Sequence, residues 1–277
     1  MKRKRKLAEP DTTLLTRHFQ MTKEFPPLYT GGKFALSKDF KNAFALNNGK
    51  VSIFEFQTGG LSYTLEEDNE EAINFSVSPN EKYIATTNKN FLTRVYQLDL
   101  LLESEARKQV VASFKTPNQM CLELCFDPTS RFLALGTSDS HVKVFDVIKG
   151  FQTHNFIGHR GVIVQLQFMP GTDTLKLLSA GEDHTVKVWD LVLNKEVAAL
   201  KGNVGRCTAI QFTNDCKTLF VGARDGKVTM YNCQDRFKQI GQLELKELGL
   251  NEEEVTCLSY IQVNQKSSLL AIGGSNG

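Results

Sequence analysis

Along most of this chain, short runs of alternating apolar and polar residues are separated by clusters of Pro, Asn, Asp, Gly and Ser. This is the period-two pattern of antiparallel strands that turn every second side chain inward. The runs come in groups of three. One group occupies residues 73–79, 83–86 and 93–98; the next occupies 122–128, 132–136 and 142–147. Two more follow at 164–170, 175–180 and 186–191, and at 208–212, 218–222 and 228–233, while a looser first group lies at 34–36, 42–46 and 51–56. The third run of each group holds an aromatic residue in register: Phe54, Tyr96, Phe145, Trp189 and Tyr231, spaced by 42, 49, 44 and 42 residues. Asn48-Gly49 and Asp225-Gly226 lie between second and third runs and are residues that tight hairpins favour. A fourth strand per group is expected after the aromatic run, as Glu196 to Leu200 follows a turn at Leu193-Asn194-Lys195. The prediction is an all-β protein built from repeated four-stranded antiparallel units.

The best-preserved third run is Val186-Lys187-Val188-Trp189-Asp190. A fixed period of this size, with an aromatic at one phase followed by an acid or amide, resembles the WD40 repeat and implies a WD40 β-propeller. The resemblance covers residues 28–277, with about six repeats, behind a basic and partly disordered tail over residues 1–27. A sixth group starts at residues 255–260 and continues at 269–274, but the sequence stops at Gly277 before its aromatic strand. An incomplete propeller is therefore expected, a fragment of a seven-bladed or tandem one. Such a chain would be unable to close a ring alone, since a closed ring buries every blade between two neighbours. The stretch 98–114 is longer than its counterparts. Within it the spacing of Leu98, Leu101 and Leu102, and of Glu103 and Arg107, suits one or two helical turns.

Composition adds few constraints. At 41% hydrophobic and 23% charged residues, the chain has ample material for a core. It shows neither an apolar run long enough for a membrane helix nor a hydrophobic signal segment after its basic start, so cytosol or nucleus is expected. The cysteines Cys121, Cys125, Cys207, Cys216, Cys233 and Cys257 form no CxxC pair and fall mostly in apolar strand patterns, which predicts reduced, structural thiols. Setting aside Lys2, Arg3, Lys4, Arg5 and Lys6, five positive charges, takes the formal net charge from +2 to −3. The repeat body is thus unsuited to broad phosphate binding, and the tail is the candidate for nuclear import or RNA contact.

Several constellations imitate catalytic or binding chemistry. His159, Ser179 and Asp183 have the composition of a hydrolase triad. In the repeat frame, however, they fall in a Gly-His turn, the second strand and the second hairpin, where Trp189 completes a buried hydrogen-bonded tetrad with a structural role. The third repeat has Leu135 and Phe145 in place of the hydroxyl and indole, and the fifth has Val221 and Tyr231, so those units should depend more on apolar packing. Gly222 to Lys227 is one residue short of a phosphate-binding loop, and it is followed by Val228 where a magnesium-binding hydroxyl belongs. Histidines and cysteines lack zinc spacing. No catalytic residue, metal site or cofactor is expected. Two acidic runs, Glu66-Glu67-Asp68-Asn69-Glu70-Glu71 and Glu252-Glu253-Glu254, each precede the first strand of a repeat. They should therefore emerge on one face, where a basic segment of a partner protein could dock.

Three segments carry a finer resemblance: Leu28-Tyr29-Thr30-Gly31-Gly32-Lys33, Asn48-Gly49-Lys50-Val51-Ser52-Ile53-Phe54-Glu55 and Phe126-Asp127-Pro128-Thr129-Ser130. They are similar to the first propeller of the transducin-beta-like WD proteins of the small-subunit processome, which associate with the U three small nucleolar RNA. That family has two tandem propellers and a C-terminal helical region, and acts as a scaffold in early pre-ribosomal RNA processing. The resemblance implies a non-catalytic nucleolar scaffold whose partners are other proteins of a large ribonucleoprotein assembly, with RNA contact mostly indirect. The competing expectation is an adaptor of another complex, such as a ubiquitin-ligase receptor or a signalling scaffold.

Overall fold

The computed structural model describes residues 33–66, 70–103, 109–171, 175–200, 205–248, 254–262 and 268–275. The basic cluster Lys2 to Lys6, and the tail expected over 1–27, lie outside the described residues. The first sheet comprises β1 (Phe34–Leu36), β2 (Asn42–Asn47), β3 (Lys50–Glu55) and β4 (Leu61–Leu65). The second comprises β5 (Ala72–Val77), β6 (Tyr83–Asn88), β7 (Leu92–Gln97) and β8 (Val110–Lys115), with helix α1 (Leu98–Glu103) between its last two strands. The third holds β9 (Cys121–Phe126), β10 (Phe132–Thr137), β11 (His141–Asp146) and β12 (Phe151–Ile157). In the fourth are β13 (Ile163–Phe168), β14 (Lys176–Gly181), β15 (Val186–Asp190) and β16 (Lys195–Leu200). The fifth contains β17 (Cys207–Phe212), β18 (Thr218–Ala223), β19 (Lys227–Asn232) and β20 (Lys238–Glu244), and β21 (Val255–Gln262) pairs with β22 (Ser268–Gly274) in the last. Within each sheet every strand pairs antiparallel with its neighbour in sequence, so each sheet is a meander and belongs to one blade of an all-β propeller.

The core lies between the blades. Phe44, Val51 and Ile53 of the first sheet meet Phe75, Ile84 and Tyr96 of the second. Across the next seam Ala85, Val95 and Phe114 meet Leu124, Leu133 and Phe145. Val142, Val144 and Phe156 then meet Ile163, Leu166 and Trp189, and Val186 and Val188 meet Ile210, Leu219 and Tyr231. Strand alternation explains the distribution. Leu133 and Leu135 point back to the second sheet while Ala134 between them points forward to the fourth. The in-register aromatic of the second to fifth sheets therefore packs onto the sheet before it.

Middle strands, covered on both faces, read as nearly continuous apolar runs, as in β10 and β14. Outer strands are half solvated, and Val110, Phe151, Val197 and Ile240 on them are exposed. From the second sheet to the last, first strands lie side by side, which makes them the innermost layer. There Asn74 Nδ2 donates to the Leu122 carbonyl at 2.6 Å and to Glu123 Oε2 at 3.0 Å, and Lys33 Nζ reaches Glu123 Oε1 at 2.7 Å.

Turn chemistry repeats with the blades. In the first turn of four sheets a side-chain oxygen accepts the backbone N–H that reopens the ladder: Ser37 from Asn42, Ser78 from Tyr83, Asp127 from Phe132 and Thr213 from Thr218. The acid or amide after the aromatic binds the third turn, with Asp146 Oδ1 accepting from Ile148 and Lys149, Asp190 from Leu193 and Asn232 from Gln234. This explains the Asp or Asn after the aromatic in the third to fifth sheets, where a short side chain mimics a backbone turn. A register shift falls at the aromatic in every third-to-fourth strand pair, at Ile53/Phe54, Val95/Tyr96, Val144/Phe145, Val188/Trp189 and Met230/Tyr231. Bulges at a constant phase raise the local twist equally in each sheet.

Candidate functional site

The four residues of the fourth sheet singled out from sequence come together in one network. Trp189 Nε1–H donates to Ser179 Oγ at 2.7 Å, Ser179 Oγ lies 2.7 Å from His159 Nε2, and His159 Nδ1 lies 3.0 Å from Asp183 Oδ2. An indole can only donate, so Ser179 accepts from Trp189; a carboxylate can only accept, so in the neutral ring the proton sits on the nitrogen facing Asp183, and Nε2 accepts from the Ser179 hydroxyl. Nδ1 then carries the imidazole proton and donates to Asp183. The remaining capacity of Asp183 takes the Arg160 backbone N–H at 2.9 Å, the Thr185 N–H at 3.1 Å and the Thr185 hydroxyl at 2.7 Å. Burial lowers the His159 pKa more than the Asp183 carboxylate raises it, which keeps the ring neutral, as the donor order requires. Burial also acts to raise the Asp183 pKa, but the Arg160, Thr185 and His159 hydrogen bonds outweigh it and hold the carboxyl below its ordinary range.

The order Ser, His, Asp is that of a hydrolase triad. Access is not: Ser179 is fully buried, with Trp189 against its hydroxyl. Gly181 is needed where it stands, since a Cβ there would sit 2.6 Å from His159 Nδ1 and 2.7 Å from Asp183 Oδ1. In the third and fifth sheets the corresponding Leu135, Phe145, Val221 and Tyr231 are buried. Burial pushes the pKa of four thiols, Cys121, Cys125, Cys207 and Cys233, up to about 12, and all six cysteines are free. Cys257 departs from the expected pattern, because its side chain in β21 is exposed. Among the described residues no group of three or more His, Cys, Asp and Glu is arranged to hold a metal ion, and no helix is long and apolar enough to cross a membrane.

The acidic loops lie where fourth strands pass to first strands. Of their residues, Glu67, Asp68, Glu252 and Glu253 are outside the described residues. The others face local cations: Glu66 pairs with Lys50 at 2.6 Å, Glu70 with Arg94 at 3.4 Å, Glu71 with Lys89, and Glu254 with Arg224 at 2.6 Å. The Arg224 pair, together with Arg206 to Glu182 at 3.2 Å, borders two adjoining depressions of about 310 and 610 Å³ between the fourth, fifth and last sheets. Sequence reasoning found the carboxylates and missed their counterions. Arg206 and Arg224 are distant from their partners in sequence and meet them only because successive sheets bring equivalent turns to one face.

Residues 108–146, 150–190 and 194–232 match the WD domain, G-beta repeat. The chain carries WD40 repeats. Their matched stretches contain the third to fifth aromatic strands and the Trp189 network. In sequence the chain is 28% identical over 209 residues to Transducin beta-like protein 3 of Bos taurus, which covers 75% of this chain and 25% of that protein. With the Homo sapiens protein of the same name it shares 27% identity over 218 residues, 78% of this chain and 26% of that protein. The chain thus spans about a quarter of the length of these curated relatives.

Proposed function

We propose that this chain is a non-catalytic WD-repeat scaffold of ribosome biogenesis, a subunit of the nucleolar small-subunit processome that supports processing of the small-subunit RNA. The observation that carries the assignment is the similarity to Transducin beta-like protein 3 over 75% and 78% of the chain. The non-catalytic part of the proposal is supported by Ser179, whose hydroxyl is out of reach of any substrate and committed to Trp189 and His159. The tetrad's role is then structural, fixing the second and third strands of the fourth blade to its entry turn. Partners are other proteins of the assembly. RNA is met mostly through them, because the net charge outside the basic tail is negative and affinity for a phosphate backbone depends on many cationic contacts. The acidic loops serve as secondary docking points whose carboxylates exchange internal cations for those of a partner.

The test is to tag the endogenous protein, purify it from nuclear extract at moderate salt, and sequence the RNA that accompanies it. Enrichment of the U three small nucleolar RNA and pre-ribosomal RNA is expected. Recovery of a protein complex without either RNA would overturn the nucleolar assignment and favour an adaptor of a different assembly.

A further inference from the structure

The third turns of the third and fourth blades expose side chains that folding does not require. Ile148 and Phe151 in one, and Val192 and Leu193 in the other, are 70%, 51%, 78% and 56% exposed. The fold needs an apolar residue one position earlier, at Val147, Leu191 and Cys233, all of which are buried. At the position of Ile148 and Val192 the fifth blade has Gln234 and the first has Gln57, both exposed. Polar residues therefore satisfy the turn, and the aliphatic ones answer some other demand.

Contacts between the blades tie the two turns together. His154 Nε2 of β12 lies 2.9 Å from the Leu191 carbonyl, and Phe156 of the same strand stacks on Trp189 with centroids 5.0 Å apart. The strand that begins with Phe151 is thus held against the turn that carries Val192 and Leu193. The carboxylates of this surface, the exposed Glu196 among them, are held by groups of the chain itself. Asp146 is buried by Arg131 and by the N–H groups of Ile148 and Lys149; Asp190 accepts from Leu193, and Glu196 pairs with Lys187 at 2.6 Å. Lys149, with its ammonium 5.9 Å from the Phe151 ring centroid, and Lys195 are exposed. An apolar patch rimmed by lysines whose neighbouring carboxylates are all engaged is the complement of an acidic segment with large apolar side chains.

We infer that this surface docks such a segment from another protein, side chains of Leu or Phe type covering Ile148, Phe151, Val192 and Leu193 while its Asp or Glu residues meet Lys149 and Lys195. The inference rests on the scaffold reading above and adds the chemistry of one partner. To test it, p-benzoyl-phenylalanine is introduced at Val192 in the full-length protein in cells, and at Gln234 as the matched control. Cross-linked peptides are then sequenced from the purified complex. The expected result is an adduct from position 192 on a segment of a different protein in which acidic and large apolar residues are interspersed, with little from 234. Combining the probe with Lys149→Glu and Lys195→Glu should cut the adduct by about fivefold or more, the scale of reversing two rim charges, with unfolding through Trp189 fluorescence unchanged. Absence of an adduct overturns the inference, as does an adduct on a basic segment, a nucleic acid or a second copy of this chain, or a yield indifferent to the charge reversal. Sequencing RNA in the same preparation separates the two ideas: lack of the small nucleolar RNA with the acidic adduct intact would sink the processome assignment and leave this surface standing.

Discussion

At the scale of single residues, Ser179 connects the indole of Trp189 to the imidazole of His159, so each member of the network depends on the next. Asp183→Ala leaves the Arg160 and Thr185 N–H groups and the His159 ring without their acceptor. It should lower unfolding free energy by about 1 to 3 kcal/mol, the range for orphaned buried polar groups. Guanidinium unfolding followed through Trp189, the one tryptophan of the chain, measures this; unchanged stability would refute a structural role for the network. Acid should act in the same direction. The folded pKa of His159 lies below its ordinary value, which is about 6.5 in an unfolded chain, so the unfolded chain binds the proton more readily. The stability that the neutral ring contributes is therefore present above that pH and lost as pH falls through the window beneath it. Asp183 adds a second loss at lower pH, below its unfolded carboxyl value. His159→Gln should remove the first loss from a plot of stability against pH and leave the second. These residues were legible in the sequence because the repeat fixes their spacing. The Lys33, Asn74 and Glu123 contacts were not, since they join residues at the inner edges of three different sheets.

Single elements were legible for a related reason. Strand positions followed from period-two alternation, and β11, β15 and β19 fall on the predicted aromatic runs within a residue at each end. Helix α1 was foreshadowed by the Leu98 and Leu101 spacing, and both side chains are buried against the first two sheets. The constant bulge at each aromatic was not legible, because it depends on pairing with a fourth strand whose own pattern is weak. Asn48 and Gly49 sit at φ of 48° and 74°, the left-handed pair of a tight hairpin. A Cβ on Gly49 would lie 2.7 Å from Glu71 Cβ. Gly49→Ala should cost about 1 to 2 kcal/mol from the backbone alone, with the added clash appearing as a larger fall in melting temperature than Gly150→Ala produces, since a Cβ on Gly150, at φ of 73°, would meet nothing within 4 Å. Equal falls would mean that Glu71 moves aside without penalty.

At the scale of the whole molecule, the repeat period marked which stretches form the sheets, but not which side chains would be left uncovered. Exposure of Ile148 and Val192 depends on the turn each occupies in three dimensions, and composition alone cannot distinguish them from core residues. Replacing Lys2, Arg3, Lys4, Arg5 and Lys6 by alanine should shift a fluorescent fusion from nucleus towards cytoplasm; an unchanged ratio would remove import from the roles of that tail. Among the described residues, the substantial packing between sheets joins only blades adjacent in sequence. Each of the five four-stranded sheets among the described residues is also a meander of one stretch of chain. A chain wired in this way gains its contacts in the order in which it is made, each emerging hairpin meeting a finished sheet rather than waiting for a distant partner. For an all-β protein, whose folding is ordinarily slowed by long-range closure, vectorial synthesis on the ribosome thus becomes a template for assembly.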